Sequence, residues 1–118
     1  MLILLVDNSV EMATMLQQML ELEGHEVIVG RNGREGLQLL EQAHALPDMI
    51  LSDLAMQEMD GFEFLSHVRQ SPEWSHLPFI AVSGNLSEAE RAVSQGANDY
   101  LDKPFRIQRL RDVLKKWK

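Results

Sequence analysis

Pro47-Asp48-Met49-Ile50-Leu51-Ser52-Asp53-Leu54-Ala55-Met56-Gln57-Glu58-Met59-Asp60-Gly61 is the stretch on which the fold turns. Asp48 to Ser52 is a short, mostly apolar run that reads as a buried strand, and Asp53 stands where that strand stops and a Met- and acid-rich loop begins. In an open parallel sheet the ligand crevice lies outside the carboxyl ends of the strands, so such a strand delivers Asp53 to the functional edge. Taken alone, an Asp at this position reads better as a loop or turn cap. The rest of the chain decides between the two.

Upstream, Leu2 to Val6 is continuously apolar, as a central strand covered on both faces should be. Ser9 suits an N-cap, and Met12, Met15, Leu16, Met19 and Leu20 recur at helical spacing on what should be one inward face, with Gly24 closing the helix. His25 to Gly30 makes a second strand. After the Asn32-Gly33 turn, Leu37, Leu39, Leu40 and Ala43 support a helix that ends before Pro47.

Downstream, Gly61 to Gln70 reads as helix, with Phe62, Phe64, Leu65 and Val68 as its apolar contributors. Phe79 to Val82 is a fourth strand ending at Ser83-Gly84. Ser87, with Glu90 three residues on, forms a capping-box pattern for a short helix through Gln95. Asn98 to Leu101 is a brief fifth strand, and a last helix carries Ile107, Leu110, Leu114 and Trp117 on one stripe. Strands and helices thus alternate five times, which predicts an α/β domain over residues 1–118. Its sheet should be parallel, with right-handed crossovers and helices on both faces.

Composition narrows the function classes. The chain has 118 residues, enough for one core and too few for two. Eleven Lys and Arg stand against eighteen Asp and Glu, a net charge of -7, which argues against general binding to nucleic acid or to anionic membrane. Without cysteine there are no disulfides and no thiolate-ligated metals, which fits a cytoplasmic protein. The apolar opening ends at Asp7 and lacks a basic flank, so it reads as neither signal peptide nor membrane span.

Parallel alternation puts Asp7-Asn8, Asp53, Ser83 and Lys103 at the carboxyl ends of the first, third, fourth and fifth strands. Neighbouring strands lie about 4.8 Å apart, within reach of one small ligand. Carboxylates gathered there repel one another, and Mg2+ relieves the repulsion while keeping waters and room for a phosphate oxygen. Lys103 adds a second positive charge, the Ser83 hydroxyl a hydrogen-bond donor, and an Asp carboxylate can itself be the nucleophile in phosphoryl transfer. Histidine offers no comparable site, since His25, His44, His67 and His76 show no ligand spacing.

With these residues in place the sequence resembles the receiver domain of two-component response regulators, a chemotaxis-Y-like domain, over essentially its whole length. The carrying motifs are Leu4-Leu5-Val6-Asp7, Asp53 followed by Met56 and by Met59-Asp60-Gly61, Ala81-Val82-Ser83-Gly84, and Gly96-Ala97-Asn98-Asp99-Tyr100-Leu101-Asp102-Lys103-Pro104-Phe105. The resemblance implies a flavodoxin-like sheet of order 2-1-3-4-5. It makes Asp53 the phosphate acceptor, Ser83 the switch hydroxyl, Tyr100 the switch aromatic and Lys103 the phosphate-sensing cation. Mg2+ would be held by Asp7, Asn8, Asp53 and the Ala55 carbonyl. The phosphoryl donor would be a histidine kinase or phosphotransfer protein, and a downstream protein would read the face formed by the fourth helix, fifth strand and fifth helix. The chain would catalyse only its own phosphotransfer and dephosphorylation. The resemblance also implies a cis peptide at Lys103-Pro104 and makes Ala55 and Asn85 the side chains nearest the water that hydrolyses the phosphoryl group.

Two departures stand out. The family usually has a second acid where this chain has Asn8, so Mg2+ should bind more weakly than is usual; and Gln57 occupies a position that is commonly proline. Asn8 also favours the rival reading, a pseudo-receiver that acts as an interaction module without phosphorylation. A flavin carrier of the same topology is disfavoured, because its phosphate loop would be Asp7-Asn8-Ser9-Val10-Glu11, whose acids repel phosphate.

Overall fold

The computed structural model describes all 118 residues, Met1 to Lys118. In chain order the elements are β1 (Leu2–Val6), α1 (Val10–Leu22), β2 (Glu26–Gly30), α2 (Gly33–Gln42), β3 (Met49–Asp53), α3 (Gly61–Gln70), β4 (Phe79–Ser83), α4 (Leu86–Ser94), β5 (Asp99–Asp102) and α5 (Ile107–Trp117). The strands form one parallel sheet in the order β2-β1-β3-β4-β5, the expected flavodoxin-like order. No helix is long and apolar enough to cross a membrane.

Every residue of β3 and β4 is buried, which is why these segments read as continuous runs and not as alternations. The two-residue period of the strands then divides their side chains between two cores. Ile3, Leu5, Met49, Leu51, Ile80 and Val82 pack on one side with α1 and α5, chiefly Leu16, Leu20, Leu110 and Val113. Leu4, Val6, Ile50, Phe79 and Ala81 pack on the other with Leu40, Phe64, Leu65, Val68 and Ala92 of α2, α3 and α4. Each large buried side chain contributes about 1.5 to 3 kcal/mol over its exposed state. A sheet held so from both faces has little freedom except at its strand ends.

Local chemistry sets the element boundaries. Ser9 caps α1 by accepting the Met12 N–H, and Gly24, at φ +89°, ends that helix in the left-handed region. The inward face of α1 is Ala13, Leu16 and Leu20, with Met12 and Met19 half-buried at its edges. Met15 is exposed, contrary to expectation, because it lies about 100° of helical rotation from Leu16 and so points past the core's edge. β2 and β5 each begin one residue later than the sequence suggested, at Glu26 and Asp99.

A larger correction concerns α4. Its N-cap is Asn85, whose side chain accepts the Glu88 N–H at 3.1 Å, so Ser87 and Glu90 fall inside the helix and form no capping box. Gly61 has a strict steric role: a Cβ there would stand 2.3 Å from the Asp53 carbonyl oxygen and 2.6 Å from Leu54 Cα. Only glycine lets α3 start so close to the end of β3. The Lys103-Pro104 peptide is cis, as the resemblance implied.

Candidate functional site

The register of the sheet places the expected residues together at its carboxyl edge. Val6 pairs with Ser52, Asp53 with Val82, and Ser83 with Asp102, so the residues that end or follow β1, β3, β4 and β5 line one rim. Asp7 is 3% exposed and Asp53 8% exposed. Their Oδ1 atoms accept backbone N–H groups, Asp7 from Ser9 and Asp53 from Leu54, both at 2.9 Å. Their Oδ2 atoms face the Lys103 ammonium, at 3.8 Å from Asp7 and 3.4 Å from Asp53.

Two nearly buried carboxylates thus share one cation, and the crevice keeps one formal negative charge in excess. Burial pushes the Asp7 carboxyl above its ordinary range and Asp53 adds to that, while the Ser9 N–H and Lys103 pull it back. A hard cation fits this donor set: carboxylate oxygens, the neighbouring Asn8 amide, and an uncompensated charge. Asn8 is exposed at the rim beside Asp7, and Ala55 is exposed two residues beyond Asp53. No place in the fold brings three or more His, Cys, Asp or Glu side chains into metal-holding range. At this rim the reason is visible in the sequence, where Asn8 follows Asp7.

Ser83 is 4% exposed, and its hydroxyl is engaged with the start of α4. It donates to the Asn85 carbonyl at 3.2 Å and accepts the Asn85 N–H at 3.0 Å. The Lys103 N–H donates to the Ser83 carbonyl at 2.8 Å, which ties the β5 end to the β4 end. Tyr100 is half-buried and paired in register with Ala81, two positions short of Ser83. The rim therefore collects Asp7, Asn8, Asp53, Ser83 and Lys103, while Tyr100 sits further down the edge strand.

Arg109 escaped the sequence reading, and Asn85 has a role beyond the one expected. Arg109, on α5, pairs with Asp99 at 3.5 Å and donates to the Tyr100 carbonyl at 3.0 Å. Its guanidinium lies 5.9 Å from the Tyr100 ring centroid. Asn85, expected beside the hydrolytic water, is also the N-cap that Ser83 holds. A nine-residue separation between Tyr100 and Arg109 carries no periodic signal; the Asn85 cap had one, in Glu88 three residues on.

Residues 3–115 match the response regulator receiver domain family. The chain belongs to that family. Among relatives of this receiver domain, an uncharacterised 14.6 kDa protein from the sodA1 3′ region of Leptolyngbya boryana is 45% identical over 104 residues, 86% of this chain and 78% of its own length. The transcriptional regulatory protein CpxR of Escherichia coli is 35% identical over 97% of this chain, which spans only 49% of CpxR. Among solved structures, the receiver domain of the sensor histidine kinase PA1611 from Pseudomonas aeruginosa superimposes with a TM-score of 0.89 at 29% identity. The match covers 98% of this chain and 95% of that one, and a magnesium ion is coordinated in the active-site cleft of that structure.

Proposed function

We propose that this receiver domain is a phosphorylation-driven switch whose acceptor is Asp53. The observation that carries the reading is the Lys103 ammonium set between Asp53 and Asp7 at 3.4 and 3.8 Å, at the mouth of a sheet otherwise packed with apolar side chains. In the step proposed, an Asp53 carboxylate oxygen attacks the phosphorus of a phosphohistidine on a histidine kinase or phosphotransfer protein. The new O–P bond forms as the P–N bond breaks, and the imidazole leaves with the electron pair and takes up a proton. Lys103 stabilises the phosphoryl oxygens, and the Ser83 hydroxyl can leave Asn85 to donate to one of them.

Mg2+ held by Asp7, Asn8, Asp53 and the Ala55 carbonyl would neutralise the charge that gathers when a phosphoryl group approaches two carboxylates. The chain catalyses only its own phosphorylation and the hydrolysis of the resulting acyl phosphate by water, which frees inorganic phosphate. Its signal leaves through α4, β5 and α5 to a downstream protein. Support comes from Ser83, which touches the α4 cap, and from Tyr100, which Arg109 of α5 holds in place. A cysteine-free, acidic chain of this kind suits the cytoplasm, with neither nucleic acid nor membrane as direct partner.

The deciding experiment is intact-mass analysis after incubation with a small phosphodonor and Mg2+, wild type beside Asp53→Asn. One phosphoryl mass is expected on wild type and none on the variant. Mass addition that survives Asp53→Asn moves the acceptor elsewhere. A wild type that stays unmodified at saturating Mg2+ with its own kinase makes the chain a pseudo-receiver, the reading Asn8 favours.

A further inference from the structure

Arg69, near the end of α3, is the one guanidinium whose hydrogen bonds knit separate segments together with no carboxylate among them. Its Nε donates to the Gly96 carbonyl at 2.8 Å, Nη1 to the carbonyls of Ser75 and Leu77 at 3.2 and 2.8 Å, and Nη2 to Asn98 Oδ1 at 2.7 Å. Asn98 Oδ1 also accepts the Phe79 N–H at 2.9 Å. One rigid fork of donors thus fastens α3 to the approach to β4, to the exit from α4 and to the approach to β5. The fit is close, since a Cβ on Gly96 would stand 3.2 Å from Arg69 Cγ.

The other end of α4 is held differently. Its N-cap Asn85 exchanges two hydrogen bonds with the Ser83 hydroxyl, while its own side chain bonds Glu88 within the helix. Leu86 and Ser87, which follow the cap, are exposed. The C-terminal end of α4 is therefore clamped by a group remote from Asp53. The N-terminal end is tied through its cap to the hydroxyl that a phosphoryl group would recruit, and Ala89 is the first side chain of the helix to be buried.

We propose that Arg69 is the fixed end of the switch, a positioning residue about whose clamp α4 swings when Ser83 releases Asn85. The inference rests on the reading of Asp53 as acceptor and adds the direction of the motion. A nine-residue helix is roughly 13 Å long, so a swing of about 10° about its last turn carries its first turn about 2 Å and leaves the last turn in place. Asn98, held by the same fork, opens the path into β5 two residues before Tyr100. The strand that carries Tyr100 thereby keeps its position while α4 moves past it. Without the clamp, loss of the Ser83 contact would loosen α4 as a whole instead of tilting it.

The test is hydrogen exchange followed by mass spectrometry on the full chain, with and without Mg2+ and beryllofluoride as phosphoryl analogue. In wild type the exchange rates over residues 84–88 should change about fivefold or more, and those over 94–98 by less than about twofold. Equal change in both segments would overturn the pivot and leave the Asp53 reading intact. Change in neither would sink that reading and the pivot with it. Arg69→Lys keeps the charge and loses the fork, and Asn98→Ala removes one acceptor of the fork, together with that of the Phe79 N–H, while leaving the Arg69 side chain itself in place. In both variants the analogue-induced change should spread into 94–98, more in Arg69→Lys. Two variants with the wild-type profile would show that Arg69 does not anchor the helix, and the Asn98→Ala result alone decides this should Arg69→Lys fail to fold.

Discussion

On the proposed reading Asn8 stands where a second acid was expected at the metal site, and its effect can be bounded from charge. An amide oxygen still ligates Mg2+, but a carboxylate would add a full negative charge close to the ion. At an effective dielectric of 20 a pair of unit charges ~4 Å apart attracts by about 4 kcal/mol, and desolvation of the carboxylate offsets most of that. Asn8→Asp should therefore tighten Mg2+ binding by about 10- to 100-fold and speed phosphorylation from a small donor; isothermal titration calorimetry with Mg2+ measures the first. Unchanged affinity would mean that Asn8 does not face the metal. On the proposed reading Ala55 sets the other end of the cycle. It is exposed at the rim, and its methyl group can neither donate nor accept a hydrogen bond, so it cannot orient an attacking water. Slow self-dephosphorylation follows, and Ala55→Asn should accelerate phosphate loss by about tenfold, as positioning a nucleophile does. A decay rate indifferent to that change would acquit Ala55.

At the scale of elements, the caps separate two candidate starts of α4. Asn85→Ala should cost about 1 kcal/mol, the usual worth of an N-cap, and speed exchange of the Ala89 amide, whose acceptor is the Asn85 carbonyl. Ser87→Ala should change stability by less than about 0.5 kcal/mol, because Ser87 is an exposed helical residue. A larger loss from Ser87 than from Asn85 would restore the capping box expected from the sequence. The contrast also shows what a sequence discloses. β1, β3 and β4 were legible because burial on both faces leaves uninterrupted apolar runs, and Asp7, Asp53, Ser83 and Lys103 were legible because each lies at or just past the end of a strand. The α4 start was not, because two cap-capable residues stand two apart, each with an acid three residues on, and only the Ser83 contact selects Asn85. Met15 misled because a five-residue stripe of Met and Leu is wider than the face α1 buries. Arg69 and Arg109 were invisible because their partners include backbone carbonyls 6 to 27 residues away, and no local pattern encodes those.

Over the whole molecule, charge is divided as sharply as apolar surface. Residues 1–102 hold four Lys and Arg against seventeen acids, and residues 103–118 hold seven against one. Most of that charge is solvated and screened. Asp7 and Asp53 are the exceptions, drawn to the buried edge of a sheet whose faces are closed on both sides, with one lysine between them. A fold optimised for stability alone would not keep two carboxylates there, so the site costs stability until something positive joins it. Asp53→Asn removes one of the two charges and leaves Lys103 paired with Asp7, and the amide oxygen can still accept the Leu54 N–H. In metal-free buffer that variant should be more stable than wild type, by on the order of 1 kcal/mol or about 4 °C in melting temperature. Mg2+ should reverse the order. A ligand that binds only the folded state stabilises it by about 1.4 kcal/mol for each tenfold excess over its dissociation constant, so wild type should gain with rising Mg2+ while Asp53→Asn stays nearly flat. Melting curves at a series of Mg2+ concentrations, held at constant ionic strength, measure both arms. A variant less stable than wild type without metal would mean that the Lys103 pairing outweighs the repulsion between the carboxylates, and an undiminished Mg2+ response in Asp53→Asn would place the ion outside this crevice.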